Sequence, residues 1–539
     1  MAFDSGTFSD DLEMDRRSYG SDNSSPEEDP SVGTGNSSYC HADTPVWPPG
    51  DGFANGIIDL GGGLLVSQIS TFKKVWTTYE GGPDDLGATF FEPTDLPEGF
   101  FMLGCYCQPN NKPLHGWILV GKDNYSSTTN GALKKPHDYK LVCNIKSIQN
   151  KQDEEGYIWL PIAHDGYKVV GHVVTTSKEK PSLDRIMCVR SDLADECVKY
   201  KSMILWRNNN KRFNVYDVRP IKRGIEAKGV YVGTFLAQSG RTKSKTCSIV
   251  CLKNLNARLF SSMPNLNQIK TLIKTYSPYM YLHPMERYRP SSVEWFFNNG
   301  ALLYEKRRGI IKECPIESTG SNLPKEDSKD DDVAVTYWMD LPVDEAKREI
   351  VKKGDLLSSK AYVHVKPILG GTFSDIVMWV FYPFNGGARA KVAFMNIPLR
   401  SKGEHVGDWE HVTLRVSNFS GELWRVYLSQ HSKGQWVDAC DVEFQNDNNR
   451  PMVYSSLHGH ALFPRAGLVM QGVRGFGIRN DAAKSDVVMD MVKGFELVAA
   501  EYLGSEIREP PWLNYGMNWG PKEGPKGPKQ KDFWKGDER

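Results

Sequence analysis

Residues 404–416 read EHVGDWEHVTLRV, and this stretch indicates the fold class of the second half of the chain. From Asp408 onward, carboxyl residues and then branched apolar residues occupy every second position, through Val412 and Leu414. A period of two is that of a β-strand, in which successive side chains point to opposite faces. The stretch therefore predicts a strand in which Asp408 and Glu410 emerge on the face that becomes the buried one.

The neighbouring carboxylates of Asp408 and Glu410 are the candidate functional residues. A buried, ionised carboxylate is costly without compensation, so a positive or proton-donating group should meet them. A hard divalent cation, Mg²⁺ or Ca²⁺, held by Asp408, Glu410 and water would do so, with His405 near enough to ligate it or to orient a bound water. An Arg or Lys partner is the alternative interpretation, and general acid–base chemistry by the pair is a third.

Further histidines are candidates for the rim of the same site. They are His411 in the same strand, His431 after the next strand, and His458 and His460 in the segment YSSLHGH. Each of the last three is as readily explained as a hydrogen-bonded structural residue. The sequence alone leaves both interpretations open.

A repeat in the first half indicates a second β-rich region. The equivalent positions are Phe91, Pro93, Gly99, Gly104, Pro113 and Ile118 in one copy and Trp159, Pro161, Gly166, Gly171, Pro181 and Ile186 in the next. A weaker third copy runs through Pro220, Gly229, Gly233 and Ile249. Modules this small cannot bury their apolar faces alone, so we expect stacking or three-fold closure in a β-repeat domain over residues 45–255. Its glycines are predicted to be turn positions with positive φ, and its Trp and Tyr residues to be core.

The whole chain is predicted to be mainly β, with a β-repeat domain followed by a β-sandwich domain and disordered tails. The predicted order is an acidic tail (1–44), the β-repeat domain (45–255), a linker (256–270), the β-sandwich (271–519) with an acidic insertion near 315–333, and a basic Gly/Pro/Lys tail (520–539). Further predicted strands are 376–381, 411–416, 423–428 and 467–473. Predicted helices are 265–276 (or linker), 342–353 and 481–493 (or loop).

The composition and the motifs of the chain disfavour several classes of function. Acidic and basic residues number 66 each, so no global field attracts nucleic acid. The ten Cys residues lack zinc-site spacing and are expected to be reduced, mostly buried thiols. No nucleophile elbow, P-loop, dinucleotide-binding glycine pattern, HExxH or kinase set occurs, which favours a non-enzymatic protein.

The start of the chain lacks the features of a signal peptide, and no apolar run approaches the roughly 20 residues of a membrane-spanning helix. We therefore expect a cytoplasmic protein whose membrane contact is peripheral.

Several segments, in order, resemble a known family. They are WPPGDGFANG (47–56), GFFMLGCYCQP (99–109), GYKVVGHVVTTS (166–177), CVRSDL (188–193), HPMERYRPSSVEWFF (283–297) and GDWEHVTLRV (407–416). Together they resemble the plant proteins called vacuolar protein sorting-associated protein 62-like, over roughly residues 45–520. This resemblance implies a vacuolar-sorting role, on vacuolar or endosomal membranes. The modules also resemble repeats in the adaptor-binding region of vacuolar protein sorting-associated protein 13, which implies that residues 45–255 bind protein adaptors.

A shorter resemblance concerns the candidate site. The segment MWVFYP (378–383) with His405, Asp408 and Glu410 is similar to the metal-binding region of necrosis and ethylene-inducing peptide 1-like cytolysins, whose fold resembles the actinoporin β-sandwich. This similarity implies a divalent cation at those three residues that helps to dock a sphingolipid headgroup. Gly407 stands where the cytolysin heptapeptide has a second His.

Three functional hypotheses follow. The first is a non-enzymatic membrane or trafficking protein with a cation-assisted lipid or glycan headgroup site. The second is a membrane-damaging, pore-forming defence protein. The third is a hydrolase using Asp408, Glu410 and His458 or His460.

Overall fold

The computed structural model describes residues 34–36, 42–124, 131–146, 155–199, 203–208, 213–222, 224, 227–239, 247–256, 260–325, 335–392, 395–399, 401–431, 433–446, 448–473, 476–521 and 527. Nearly all of the predicted acidic and basic tails, and residues 326–333 of the predicted insertion, lie outside these ranges. Residues Thr34–Arg539 group as one compact unit, which contains both predicted domains. The boundary near 256–270 therefore stays a prediction.

The chain is mainly β, as predicted. Strands of the first half are β1 (Thr34–Asn36), β2 (Ile57–Asp59), β3 (Leu64–Ile69), β4 (Thr71–Thr78), β5 (Ala88–Pro93), β6 (Phe101–Met102), β7 (Tyr106–Pro109), β8 (Ile118–Asp123), β9 (Leu133–Lys134), β10 (Asp138–Lys146), β11 (Glu155–Ile162), β12 (Tyr167–Lys168), β13 (Val173–Thr175), β14 (Cys188–Arg190), β15 (Ala194–Asp195), β16 (Cys197–Val198), β17 (Ile204–Asn208), β18 (Phe213–Asp217), β19 (Arg219–Pro220), β20 (Gly229–Val230), β21 (Phe235–Ser239) and β22 (Cys251–Lys253).

Strands of the second half are β23 (Tyr279–Leu282), β24 (Leu302–Arg307), β25 (Ile310–Pro315), β26 (Val335–Asp340), β27 (Ala361–Ile368), β28 (Phe373–Asn385), β29 (Arg389–Val392), β30 (Met395–Pro398), β31 (His405–Ser417), β32 (Leu423–Gln430), β33 (Lys433–Asp438), β34 (Met452–Ser455), β35 (Leu462–Phe463), β36 (Gly467–Val473), β37 (Phe476–Ala482), β38 (Val488–Asp490) and β39 (Phe495–Ala499). The α-helices are α1 (Leu266–Tyr276), α2 (Val293–Asn298) and α3 (Glu345–Lys352). Short 3-10 turns occupy Pro83–Asp85, Leu183–Arg185, Ser191–Leu193, Leu369–Gly371, Ala439–Asp441, Glu501–Glu506 and Pro511–Asn514.

The first half forms a three-fold ring of sheets, which we call the ring (residues 57–253). Three sheets, containing β4-β5-β7, β10-β11-β13 and β17-β18-β21, share one core that includes Trp76, Trp159 and Trp206. A second trio, β2-β3-β8-β6, β12-β14-β9 and β15-β22-β20, shares another core. Every copy of the repeat thus contributes one sheet to each core.

Three equivalent backbone hydrogen bonds close the ring. Each runs from an N–H of one copy to a carbonyl of another: Leu119 to Val232 (2.8 Å), Met187 to Met102 (3.0 Å) and Val250 to Val169 (2.9 Å). The first copy donates to the third, the second to the first, and the third to the second. Of the two predicted arrangements, stacking and three-fold closure, the structure has three-fold closure.

The repeated glycines serve two different purposes. Gly99 and Gly166 have positive φ, 78° and 83°, as predicted for turn positions. Gly104 and Gly171 instead lie against each other, because a Cβ on Gly104 would stand 2.8 Å from the Gly171 Cα. The turn prediction was wrong for this second pair, whose lack of a side chain allows the copies to approach at the ring centre.

The second half is built on a six-stranded sheet in the order β33-β32-β31-β28-β27-β39. Its longest strands, β28 and β31, pair antiparallel from Phe373↔Ser417 to Asn385↔His405. On one face, Val412 and Leu414 share a core with Met280 and Val453 from the sheet β35-β34-β23-β38. This packing of two sheets is the predicted β-sandwich. The opposite face packs on α2, α3 and residues 512–519.

Most predicted elements of the second half are present, with two differences. Strands β28 and β31 extend beyond the predicted 376–381 and 411–416, because both of their faces are buried along most of their length. Residues 481–493 hold the end of β37 and the strand β38 where a helix or loop was expected, since Met489 pairs with Met280 in the second sheet. Helix α2 was not predicted, although Ser292 caps it by accepting the Trp295 N–H.

The ring and the second half contact each other directly. Lys112 of the ring donates to the Asp438 carboxylate at 2.6 Å, and Trp117 of the ring stacks on Phe373 of β28 at 4.9 Å. Phe419, from the turn after β31, is buried in a core of the ring. Within the described ranges, no helix has the length and apolar character to cross a membrane.

Candidate functional site

The predicted carboxylates lie on the buried sandwich face of β31. Asp408 pairs with Tyr382 and Glu410 pairs with Val380 of β28. The same face continues with Val412 and falls inside the sandwich core, as the alternation of the sequence predicted. The structure brings these carboxylates together with Glu286, His458 and His460, and we call the five residues Glu286, Asp408, Glu410, His458 and His460 the acidic–histidine cluster.

His460 and Asp408 form the centre of this cluster. The His460 ring is fully buried and stacks on Tyr382 at 3.8 Å between ring centroids. Its Nδ1 lies 3.0 Å from the Asp408 Oδ2, and its Nε2 lies 3.1 Å from the carbonyl oxygen of Tyr288. Both ring nitrogens of His460 thus face oxygen atoms, and these two contacts fix the orientation of the ring.

Glu286 is a member of the cluster that the sequence did not reveal. Its side chain is 2% exposed, and it accepts backbone N–H groups of Arg287 (2.9 Å), Tyr288 (2.8 Å) and His458 (2.5 Å). Burial by itself raises the pKa of the Glu286 carboxyl, but the His458 and His460 rings and these N–H donors outweigh it, and the pKa lies below its ordinary value. Glu286 reaches the cluster because β23 pairs in parallel with the distant β34, a pairing without a local signal.

Glu410 is held by a neighbouring strand. Its carboxylate accepts the Ser429 hydroxyl of β32. Burial raises the pKa of the Tyr382 phenol well above its usual range, and the nearby Asp408, Glu410 and Glu286 carboxylates add to this rise. Three carboxylates thus surround one phenol in the sandwich interior.

The cluster meets solvent at two histidines. His405, at the start of β31, is 29% exposed, and its Nε2 lies 4.0 Å from the Asp408 Oδ1. His458 is 25% exposed, and its Nδ1 lies 3.6 Å from Glu286. His458 and His460 adopt positive φ, 70° and 54°, in the turn between β34 and β35. This tight turn presents both rings to the carboxylates of β31 and Glu286.

The other two predicted rim residues lie apart from the carboxylates. His411 is on the opposite face of β31, between Trp379 (4.3 Å) and Tyr427 (5.3 Å). His431 is exposed, and its Nε2 lies 3.1 Å from the Asn480 Oδ1. It neighbours the 458–460 turn, because a Cβ on Gly459 would lie 3.2 Å from its ring.

The predicted cation ligands are arranged as a pair. In the ranges that the structure describes, no three His, Cys, Asp or Glu side chains are grouped so that they could hold a metal ion. His405 and Asp408 face each other, whereas the Glu410 carboxylate engages Ser429. A cation at this edge would take its remaining ligands from water or from a bound molecule.

Gly407 explains why this site departs from the cytolysin heptapeptide. Its φ is +66°, and a Cβ there would lie 2.5 Å from the carbonyl oxygen of Trp519. The packing of the chain's end against β31 therefore excludes any side chain at this position, including the second His of the cytolysins.

Comparisons with known proteins identify the family. The sequence profile described as vacuolar protein sorting-associated protein 62 matches residues 37–522. Among solved structures, GNIP1Aa from Chromobacterium piscinae is 20% identical over 39% of this chain and 40% of its own, with a TM-score of 0.29. Necrosis and Ethylene inducing Protein 2, from the causal agent of cocoa's Witches' Broom disease, is 10% identical over 44% of this chain and 76% of its own, with a TM-score of 0.21.

These two structural similarities are too low to support an argument about function. No curated protein matches the sequence. The profile match covers most of the chain and agrees with the resemblance seen in the sequence. The chain belongs to the vacuolar protein sorting-associated protein 62 family.

Proposed function

We propose that this chain is a non-enzymatic binding protein of vacuolar sorting, which contacts membranes peripherally and binds protein adaptors through residues 45–255. Membership of the family supports the sorting role. The closed ring supports the adaptor role, because a rigid β-scaffold presents its loops without large rearrangement.

The proposed membrane-facing site rests on one observation, which is the position of His405 and Asp408 at the edge of the sheet. Their ring nitrogen and carboxylate oxygen lie 4.0 Å apart at a partly exposed strand end. Two ligands of one divalent cation, each at about 2.0–2.6 Å, stand roughly 3–4 Å apart. Behind this edge, the carboxyl groups of Asp408, Glu410 and Glu286 lie together around Tyr382. A Mg²⁺ or Ca²⁺ ion would offset negative charge of these carboxyl groups and leave positions for oxygens of a lipid or glycan headgroup.

The contacts of His460 favour a binding role over hydrolysis by this residue. The fully buried His460 ring has one nitrogen against Asp408 and the other against the Tyr288 carbonyl. Neither nitrogen is placed to take a proton from a substrate water, as a general base must.

Thermal melts in chelator and then with Mg²⁺ or Ca²⁺ test the cation site. A cation at about a hundred times its Kd should stabilise the folded protein by about 2.7 kcal/mol. We expect a rise in Tm for the wild type that His405→Ala and Asp408→Asn lose. His164→Ala, a partly exposed His of the ring, is the matched control and should respond like the wild type. If the Tm of the wild type does not change with Mg²⁺ or Ca²⁺, the cation site is ruled out and the acidic–histidine cluster is only structural.

Vesicle assays test what the site does at a membrane. We expect cation-dependent flotation with sphingolipid-containing vesicles, weakened by His405→Ala, and no release of an entrapped dye. Dye release would instead support the membrane-damaging function.

A further inference from the structure

A cavity of about 300 Å³ lies between the ring and the six-stranded sheet, away from the acidic–histidine cluster. Lys112, His115 and Arg219 line it from the ring, and Trp424 and Arg425 line it from β32. Its volume is at the lower end of the range of small-molecule sites, which also occur preferentially between domains. The contact of the two halves therefore creates a pocket that neither half has alone.

Among the described residues that line this cavity, cations outnumber carboxylates: Lys112, Arg219, Lys222, Arg415 and Arg425 stand against Asp217 and Asp438. Asp438 is shared by two cations, with Lys112 Nζ at 2.6 Å and Arg425 Nε at 3.0 Å. Asp217 lies 3.4 Å from Arg219 and also accepts the Tyr231 hydroxyl at 2.7 Å. These three ion pairs join three cations to two carboxylates, which leaves an excess of one positive charge.

A third arginine of the wall does not remove this excess. Arg415 has its own partner, because its guanidinium makes two 2.8 Å hydrogen bonds to Asp375. Burial lowers the pKa of the Arg425 guanidinium, with Arg219 and Arg415 acting in the same direction against Asp438. A further anion beside Arg425 would therefore stabilise its charge.

Two buried nitrogens of the cavity wall lack partners. Among the described residues, none accepts a hydrogen bond from the Trp424 indole N–H or pairs with His115 Nδ1. Buried polar groups of this kind are rare, and each indicates a missing partner. Oxygen atoms of a bound molecule would supply acceptors on the same side as the cations.

Aromatic side chains line another part of the wall. Trp117 stacks on Phe373 at 4.9 Å and meets Tyr231 edge-on at 5.2 Å. Such rings favour a flat apolar body in the site. The wall therefore combines an anion-binding side with an aromatic side.

We propose that this cavity binds a small organic anion. Its phosphate or carboxylate group contacts Lys112, Arg219 and Arg425, and its planar apolar part lies against Trp117 and Tyr231. The ligand touches both halves of the chain, so its binding stabilises their contact. The same chemistry occurs in a soluble aryl or cyclic phosphate and in a phosphorylated lipid headgroup.

Calorimetric titration of the full chain with phenyl phosphate tests this site. Inorganic phosphate supplies the charge alone, and benzyl alcohol supplies the ring alone. We expect phenyl phosphate to bind more tightly than either of the other two compounds. Arg425→Gln or Lys112→Gln should raise the Kd of phenyl phosphate about tenfold or more, because each variant removes a charge-assisted hydrogen bond to the ligand. Lys112 is 31% exposed, so its replacement keeps the test valid if Arg425→Gln fails to fold.

Arg185→Gln is the matched control. The side chain of Arg185 is 29% exposed, close to the 31% of Arg425, and it is also paired with a carboxylate, Glu92, at 2.6 Å. Arg185 does not line the cavity. It should bind phenyl phosphate like the wild type. Failure of the wild type to bind phenyl phosphate, or equal binding by all three variants, would overturn the proposal.

Vesicles distinguish the two sources of the ligand. Flotation with phosphatidylcholine vesicles that contain a phosphoinositide, lost in Lys112→Gln, would assign the anion to a membrane lipid. Phenyl phosphate binding without such flotation would assign it to a soluble molecule.

Discussion

The ring and the sandwich reach their buried cores by different routes. Among the described strands of the ring, no paired residues lie farther apart in sequence than Leu64 of β3 and Asp123 of β8. In the sandwich, Tyr279 of β23 faces Met452 of β34. A repeated module shows its spacing in the sequence, because the same local packing contacts recur in each copy. A distant pairing leaves no such trace, and that pairing places Glu286 in the acidic–histidine cluster.

The largest effect is expected from removing a central tryptophan of either region. Trp409 is 1% exposed in the sandwich and packs on Phe381 and Trp519, and Trp206 is fully buried in the ring. Trp409→Ala and Trp206→Ala should each lower the free energy of unfolding by about 3–5 kcal/mol. Because Phe419 joins the two regions, urea unfolding should remain one transition in both variants. If a variant instead shows two transitions and the substitution shifts only one of them, the two regions unfold independently.

Closure of the ring depends on the contact of Gly104 with Gly171. A Cβ at Gly104 would also meet Thr234 Cγ2 at 2.7 Å, so Gly104→Ala should cost about 1–3 kcal/mol by overpacking, measured by urea unfolding. Gly166→Ala is the control, because its Cβ would meet nothing within 4 Å and only its positive φ opposes the change, at about 1 kcal/mol. Equal costs would mean that the close approach at the ring centre is unimportant.

The acidic–histidine cluster should make the stability of the sandwich depend on pH. The pKa of Glu286 is lower in the folded chain than in the unfolded chain, so its ionised form stabilises the fold above the ordinary carboxyl pKa. This contribution is lost as the pH falls through the lowered value. Glu286→Gln should cost about 1–3 kcal/mol at neutral pH and progressively less in acid, measured by unfolding at each pH. A cost that stays constant with pH would contradict the role of its charge.

The smallest effect is expected at His431. This exposed residue has φ of 53°, a conformation that Asn also tolerates well. His431→Asn should change the free energy of unfolding by less than about 0.5 kcal/mol and leave any cation response intact. Loss of the cation response in thermal melts would instead place His431 in the site.

The sequence predicted several residues of the candidate site but not all of them. Alternation placed Asp408 and Glu410 on the buried face of β31, and the structure agrees. Their partners come from other elements: His460 from a turn, Ser429 from β32 and Glu286 from the loop after β23. The sequence named His460 as a candidate. Ser429 and Glu286 meet the site only when the sheets assemble, so no spacing within the chain predicts them.

The sequence by itself determined the mainly β class, the family and the repeat in the first half, because these follow from local periodicity, repeated spacing and ordered motifs. It left stacking and three-fold closure of the copies as alternatives. Tertiary structure alone decided the anion cavity. Lys112 and Asp438 are brought to 2.6 Å only when the ring docks on the sheet. Electrostatic fit depends on distances between residues far apart in the chain, and those distances exist only in the folded protein.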